Sequence, residues 1–242
     1  MSYRKIFEDD FLLVVDKSFG VSFHNEIHAE NSTLSEDKDI TVKGLVTQIK
    51  EQGDYKELFP VHRLDKMTSG LLVIAKRLDS AQQLTRLFEQ KDIEKYYLAI
   101  SDRKPKKKQG WVIGDMEKSR RGSWRLTTSK QNPAKTYFVS KALSEGRRLF
   151  LLKPFTGKTH QIRVALKSVG SPIVGDLRYQ ASEVAEKYDR GYLHAYAMRF
   201  KLAGKLYQFE CPPLSGKFFT EALFTEALLE YKEPWGLSLP SL

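Results

Sequence analysis

Residues 60–76 read PVHRLDKMTSGLLVIAK. The second half, LLVIA at 71–75, is a continuous apolar run bounded by Gly70 and Lys76, the pattern of a strand buried on both faces. Just ahead of it, Arg63 and Asp65 stand one position apart in a polar loop, so the folded chain holds a carboxylate at a sheet edge beside its core. Burial there favours the neutral acid. An aspartate that acts as a nucleophile therefore needs a cation close by, from Arg63, Lys66 or an arginine elsewhere in the chain. A salt-bridged turn tied down by Thr68 and Ser69 accounts for the same residues, and on local grounds the two readings are balanced.

Working outward, IFEDDFLLVVDK (6–17) predicts two short strands around the acidic turn Glu8-Asp9-Asp10, followed by a polar loop over 24–39. Val42, Leu45, Val46 and Ile49 are spaced as a helix face over 41–52. A second helix is expected over 79–92, capped by Asp79 or Ser80 and carrying Leu84, Leu87 and Phe88 on one side. EKYYLAIS (94–101) is strand-like, and RKPKKKQG (103–110) is a charged loop. Short β-rich runs over 111–155 suggest antiparallel sheet. Ile162, Leu166 and Val169 predict a helix closed by Gly170, residues 192–210 a hairpin around Gly204, and 215–232 a last amphipathic helix containing FTEAL twice. No Gly/Ser-rich or Pro-rich linker interrupts the chain, so a single α+β domain over 1–242 is expected, with 213–242 as its C-terminal helix and tail.

Composition narrows the function. With 242 residues, 41 % hydrophobic and 12 % aromatic, the chain has the apolar content of a folded core. The single cysteine, Cys211, excludes an internal disulfide framework and a multi-cysteine zinc site, and it fits a cytoplasmic setting. The opening residues lack a signal-peptide pattern, and no stretch approaches the roughly 20 apolar residues of a membrane span. The net charge of +10 is localised: residues 101–163 hold 17 Lys and Arg against 4 Asp and Glu, leaving 23 against 26 elsewhere. Such a block points to a polyanion, and nucleic acid is the commonest one in the cytoplasm; a solvated basic face is the plainer alternative.

Three motifs are set aside. HNEIH (24–28) places Glu26 one residue too late for the zincin pattern, GKT (157–159) has Leu152 where a phosphate-binding loop needs glycine, and Cys211 before two prolines suits a buried structural cysteine. No metal is expected.

HRLDKMTSG also resembles the catalytic motif of the RluA-type pseudouridine synthases, HRLDxxTSG. Four further stretches agree in order: DDFLLVVDKSFGVSFH (9–24), EKYYLAI (94–100), TGKTHQIRVALKSVGSPIVGDLRY (156–179) and LHAYAMRF (193–200). The likeness runs over about 6–212. It implies a mixed, mostly antiparallel central sheet flanked by helices and loops, and a cofactor-free isomerisation of uridine in tRNA or rRNA. In that scheme Asp65 is the nucleophile, attacking C1′ of the ribose or C6 of the uracil; Arg163 pairs with it in a two-pronged bond; and Tyr97 stacks on the flipped base and assists removal of the C5 proton. Arg63 fills the space the base leaves. His62 holds the RNA backbone or the loop, and Leu64, Thr68, Ile162 and Leu193 belong to the substrate pocket. Lys106, Lys107 and Lys108 with Arg120, Arg121 and Arg125 are the expected RNA-recognition surface, with Trp111, Trp124 and Tyr137 as stacking partners. Ser18 and Ala165 depart from the family's usual Pro and His. No S4 domain is expected ahead of the likeness, so recognition is expected to fall to the catalytic domain; a monomer with no obligate protein partner is expected. The competing reading is an RNA-binding protein of the same fold that has lost the reaction.

Overall fold

The computed structural model describes residues 1–29 and 39–241. The chain begins with strands β1 (Tyr3–Glu8), β2 (Leu12–Lys17), β3 (Glu26–Ala29) and β4 (Asp39–Val42), then helix α1 (Leu45–Gln52). Next come β5 (Phe59–Pro60), β6 (Ser69–Ala75), α2 (Leu78–Gln90), β7 (Glu94–Ser101), β8 (Gln109–Gly114), β9 (Met116–Lys118), β10 (Trp124–Leu126), β11 (Ala134–Ala142) and β12 (Arg148–Pro154). The remainder is α3 (Gln161–Ser168), α4 (Ser182–Ala185), β13 (Leu193–Leu202), β14 (Lys205–Glu210) and α5 (Ala222–Leu229).

The main sheet runs β1-β2-β6-β13-β7-β12-β11-β8, with β14 on β13 and β5 on β6. It is mixed and mostly antiparallel; the parallel pair is β13 with β6, through His194 opposite Ser69 and Ala195 opposite Gly70. As its apolar run requires, every residue of β6 is buried. Gly70 is indispensable at this contact: its φ is +107°, and a Cβ there would sit 2.2 Å from the Ala195 carbonyl oxygen. The close approach fixes where the preceding loop, with Asp65, leaves the sheet.

Two apolar cores divide the sheet between them across its width. One gathers β2, β6, α1 and α2 around Leu13, Leu45, Ile49, Leu72 and Leu84. The other gathers β7, β12, α3 and the C-terminal segment around Leu98, Phe150, Leu166, Phe219 and Phe224. Tyr97 packs against both. The site lies on this seam.

Several local expectations change. The loop expected at 24–39 includes 30–38, which lie outside the described residues, while its ends pair as the β3–β4 hairpin. Val42 belongs to β4, and α1 starts at Leu45, after Gly44. The cap of α2 is Arg77; Asp79 sits inside the first turn, where its carboxylate accepts from Ser80 N at 2.7 Å. The single helix expected over 215–232 is divided into a 3-10 turn at Lys217–Phe219 and α5. Tertiary contacts impose the break: Phe218 N donates to Tyr192 Oη, Lys217 N donates to Asp189, and consecutive Phe218 and Phe219 are both buried.

Candidate active site

Asp65 lies at the wall of a cleft of about 710 Å³ that also takes in Arg63, Tyr97, Lys135, His160 and Arg163. The loop carrying it is held from three directions. Thr68 N donates to the Asp65 carbonyl at 2.9 Å, closing the turn. His62 Nε2 accepts from Val73 N at 2.9 Å, tying the loop to β6, and its ring lies on Phe88. Burial leaves His62 neutral, with its pKa lowered to about 3. The third tether is Lys17, fully buried at the end of β2. Its ammonium donates to the Ser18 and Val21 carbonyls at 2.9 and 2.8 Å and reaches the carbonyl of Lys66, the residue after Asp65, at 3.4 Å. Burial, then the charge of Arg190, pushes the Lys17 pKa down to about 7.

Arg163 approaches Asp65 from the opposite core. Its position is set by the start of α3, where His160 takes a left-handed conformation (φ +57°) and Gln161 has all its side-chain polar atoms engaged: Nε2 donates to Lys135 O and Thr136 Oγ1, while Oε1 accepts from Thr156 Oγ1 and Lys158 N. Arg163 Nη1 donates to Asp65 Oδ2 at 2.9 Å. Its two-pronged bond, however, goes to Asp176: Nε and Nη2 each lie 2.8 Å from that carboxylate. Asp176 is wholly buried and also accepts from Arg178 N at 3.0 Å. Thus Asp176 aims the guanidinium, and Asp65 receives its remaining arm. Burial opposes the charge on Arg163, but the two carboxylates more than offset it and hold its pKa above the ordinary value.

Tyr97 lines the same cleft, and burial followed by the charge of Asp65 raises its pKa, so the phenol keeps its proton at neutral pH. Tyr96, one residue earlier, faces the other side of β7, where its hydroxyl donates to Glu94. His160 Nε2 is 3.8 Å from Asp65 Oδ2, and its Nδ1 meets the Tyr179 hydroxyl at 2.9 Å. Burial, then the neighbouring Arg163, lowers the His160 pKa. Leu64, Thr68, Ile162 and Leu193 all line the cleft. Arg63 is exposed at its edge, with no protein acceptor among the described residues.

The expected recognition surface divides. Residues 103–108 leave the far end of β7: Tyr97 pairs with Leu152 and Ser101 with Arg148, which puts the loop about 13 Å along the strands from the cleft. The β9–β10 hairpin with Arg120, Arg121 and Arg125 lies nearer. There Trp124 N donates to Tyr179 Oη, and Arg178 donates to the Arg121 carbonyl. The cations that line the cleft are Arg63, Lys91, Lys95, Lys135, Lys158 and Arg163, of which only Arg63 and Arg163 were singled out from sequence. Asp176, Lys17 and His160 were missed as well, although all three fall within the quoted motifs.

Among the described residues, the one group of three side chains arranged for a metal is Asp16, His194 and Cys211. Both His194 nitrogens are engaged there, Nδ1 by Ser69 Oγ and Nε2 by the Cys211 carbonyl, and Arg4 lies against Asp16 and Cys211. That arrangement is a hydrogen-bonded joint between β6 and β13. The HNEIH reading gains nothing, because the His28 side chain falls outside the description.

A carboxylate held beside an aimed arginine, at the seam of a mixed sheet and facing a basic cleft, defines an enzyme that acts on a polyanionic substrate. A family profile described as RNA pseudouridylate synthase matches residues 11–168. The chain belongs to that family and is of its RluA type, isomerases that act on RNA. It is 42 % identical over 231 residues to a Haemophilus influenzae protein described as an uncharacterized RNA pseudouridine synthase, with 96 % of each chain covered. It is 31 % identical over 193 residues to the dual-specificity RNA pseudouridine synthase RluA of Escherichia coli, covering 78 % of this chain and 83 % of that one. With the ribosomal large subunit pseudouridine synthase C of Rickettsia bellii it shares 36 % over 194 residues, 78 % of this chain and 61 % of that longer protein. Among solved structures, human RNA pseudouridylate synthase domain containing 1 has the same fold, with a TM-score of 0.69 at 23 % identity, covering 87 % of this chain and 83 % of that one. No described helix is long and apolar enough to cross a membrane.

Proposed function

We propose that the protein converts specific uridines of tRNA or ribosomal RNA to pseudouridine, with Asp65 as nucleophile, Arg163 as its aiming cation and Tyr97 as the surface against which the base lies. The observation that carries this reading is the 2.9 Å bond from Arg163 Nη1 to Asp65 Oδ2, with the rest of the guanidinium locked on Asp176. A carboxylate so placed is held through one oxygen beside the cation and lies within reach of whatever enters the cleft.

The reaction balances within the substrate. Asp65 adds to C1′ of the ribose or to C6 of the uracil; the N1–C1′ bond breaks, the base turns, and a C5–C1′ bond forms. C5 then loses its proton, N1 ends protonated, and the carboxylate is released. Nothing is oxidised and no cofactor is needed. Because the reacting atoms are inaccessible in a stacked helix, the uridine enters the cleft flipped, and the free guanidinium of Arg63 at the rim is placed to take its space. The protonated Tyr97 phenol supports stacking more directly than proton removal. Ribosomal RNA is supported by the ribosomal large subunit synthases among the relatives, a dual-specificity relative leaves room for a second class, and tRNA is the class the sequence resemblance implies.

The test is to map pseudouridine across tRNA and rRNA from cells with and without the gene, then to restore wild-type or Asp65→Asn protein. We expect one or a few uridines to lose the modification and only wild type to restore it, with Asp65→Asn slower by a factor on the order of 10⁴ or more. No change at any uridine would leave a binding protein of this fold as the better reading.

A further inference from the structure

Lys95 precedes Tyr97 by two residues on β7, so the two side chains leave the same face of the strand and both line the cleft. The step between them is about 7 Å along the strand. A nucleotide whose base meets Tyr97 carries its backbone phosphates one ribose away, which is the scale of that step.

What sets Lys95 apart is what it lacks. Other shielded cations among the described residues have internal acceptors: Lys17 three carbonyls, Arg163 two carboxylates, Arg148 Ser140, and Lys153 Glu94. Lys95 has no hydrogen-bond acceptor or ion-pair partner among the described residues. Its Nζ stands 5.6 Å from the centroid of the Phe88 ring, beside the neutral imidazole of His62. Glu94, its chain neighbour, faces the opposite side and is occupied by Tyr96, Arg199 and Lys153. Glu89, on the cleft rim, lies beyond ion-pair distance. Burial pushes the Lys95 pKa down to about 8, the expected response of an ammonium shielded from water with no anion to offset the loss. The charge therefore brings the free protein a cost that only the face of the Phe88 ring returns in part.

We propose that Lys95 binds a backbone phosphate of the RNA next to the flipped uridine, seating the ribose so that the base falls between Tyr97 and Asp65. Phosphate oxygens supply the charge-assisted hydrogen bonds that the protein withholds. Lys91 at the C-cap of α2, exposed on the same arm of the cleft, adds charge to this phosphate path. The inference rests on the proposed placement of the target base against Tyr97.

The experiment measures initial rates of pseudouridine formation on tRNA and rRNA purified from cells lacking the gene, at several KCl concentrations, for wild type, Lys95→Met and Lys95→Arg. Methionine keeps the stem packed on Phe88 and removes only the charge, and melting curves verify that each variant folds. Lys95→Met should raise KM about 10- to 100-fold with kcat within about threefold, and the slope of log kcat/KM against log salt should become shallower by about 0.7 to 0.9. Lys95→Arg should keep the wild-type slope. A Lys95→Met enzyme with wild-type KM and slope, or one whose loss lies in kcat alone, overturns the inference while leaving the isomerase reading in place. If wild type modifies no uridine, the isomerase reading itself falls, and the inference with it.

Discussion

Two basic regions of this protein look alike in sequence count and differ in the fold. The loop at 103–108 concentrates its lysines in adjacent positions and projects from the far end of β7. The cleft draws Arg63, Lys91, Lys95, Lys135, Lys158 and Arg163 from separate segments of the chain into one lining shared with Asp65. Conspicuous charge and cleft-lining charge are thus different things here. Of the cations counted in 101–163, Arg147 and Arg148 are buried against Glu221 and Ser140, Lys153 against Glu94, and only Lys135, Lys158 and Arg163 line the cleft. A charge run measures how much positive potential a segment carries; the strand register decides where it points.

The comparison gives an order of expected effects. The largest after loss of Asp65 itself is at Asp176. Asp176→Asn removes a buried anion from beneath Arg163, and we expect kcat to fall about 100-fold and stability by about 3 kcal/mol, checked by single-turnover rates and denaturant unfolding. An intact rate would mean that Arg163 needs no aiming. Next comes the double change Lys135→Met and Lys158→Met, which should lower kcat/KM about 10- to 100-fold and flatten its salt dependence while sparing kcat. The smallest effect belongs to the conspicuous loop. Lys106→Met, Lys107→Met and Lys108→Met together should change kcat/KM less than about threefold at physiological salt, because the loop lies farther from the cleft than the screening length of roughly 8 Å. A tenfold loss there would restore the loop as a recognition surface and break the comparison.

Much of the site was legible because its parts are short, local patterns. A polar loop feeding a run of five apolar residues places Asp65 at a sheet edge but leaves a salt-bridged turn equally open; the likeness of HRLDKMTSG to a family motif decides between them, and the alternation along EKYYLAI separates Tyr97 from Tyr96. Arg163 was expected to meet Asp65, and it does. The two-pronged bond expected with Asp65 is made with Asp176 instead, which in sequence is an ordinary Gly-Asp turn with no sign that its carboxylate is fully buried. Lys95 was visible as the first residue of a Lys-x-Tyr spacing, but a lysine without an acceptor can be recognised only once its neighbours are placed. The C-terminal helix shows the opposite error. The repeated FTEAL satisfies helical spacing over 215–232, yet Gly216, the docking of Phe218 on Tyr192 and the bond from Arg147 to Glu221 override local preference and break it.

The most direct test of the central claim, that the dispersed cleft cations and not the lysine-rich loop receive the RNA, is amide hydrogen exchange of the whole protein with and without tRNA and rRNA from cells lacking the gene. The account predicts slowed exchange over 61–68, 91–97, 131–135 and 156–163, with residues 103–110 unchanged. Protection confined to 103–110, with the cleft exchanging as in the free protein, would contradict it.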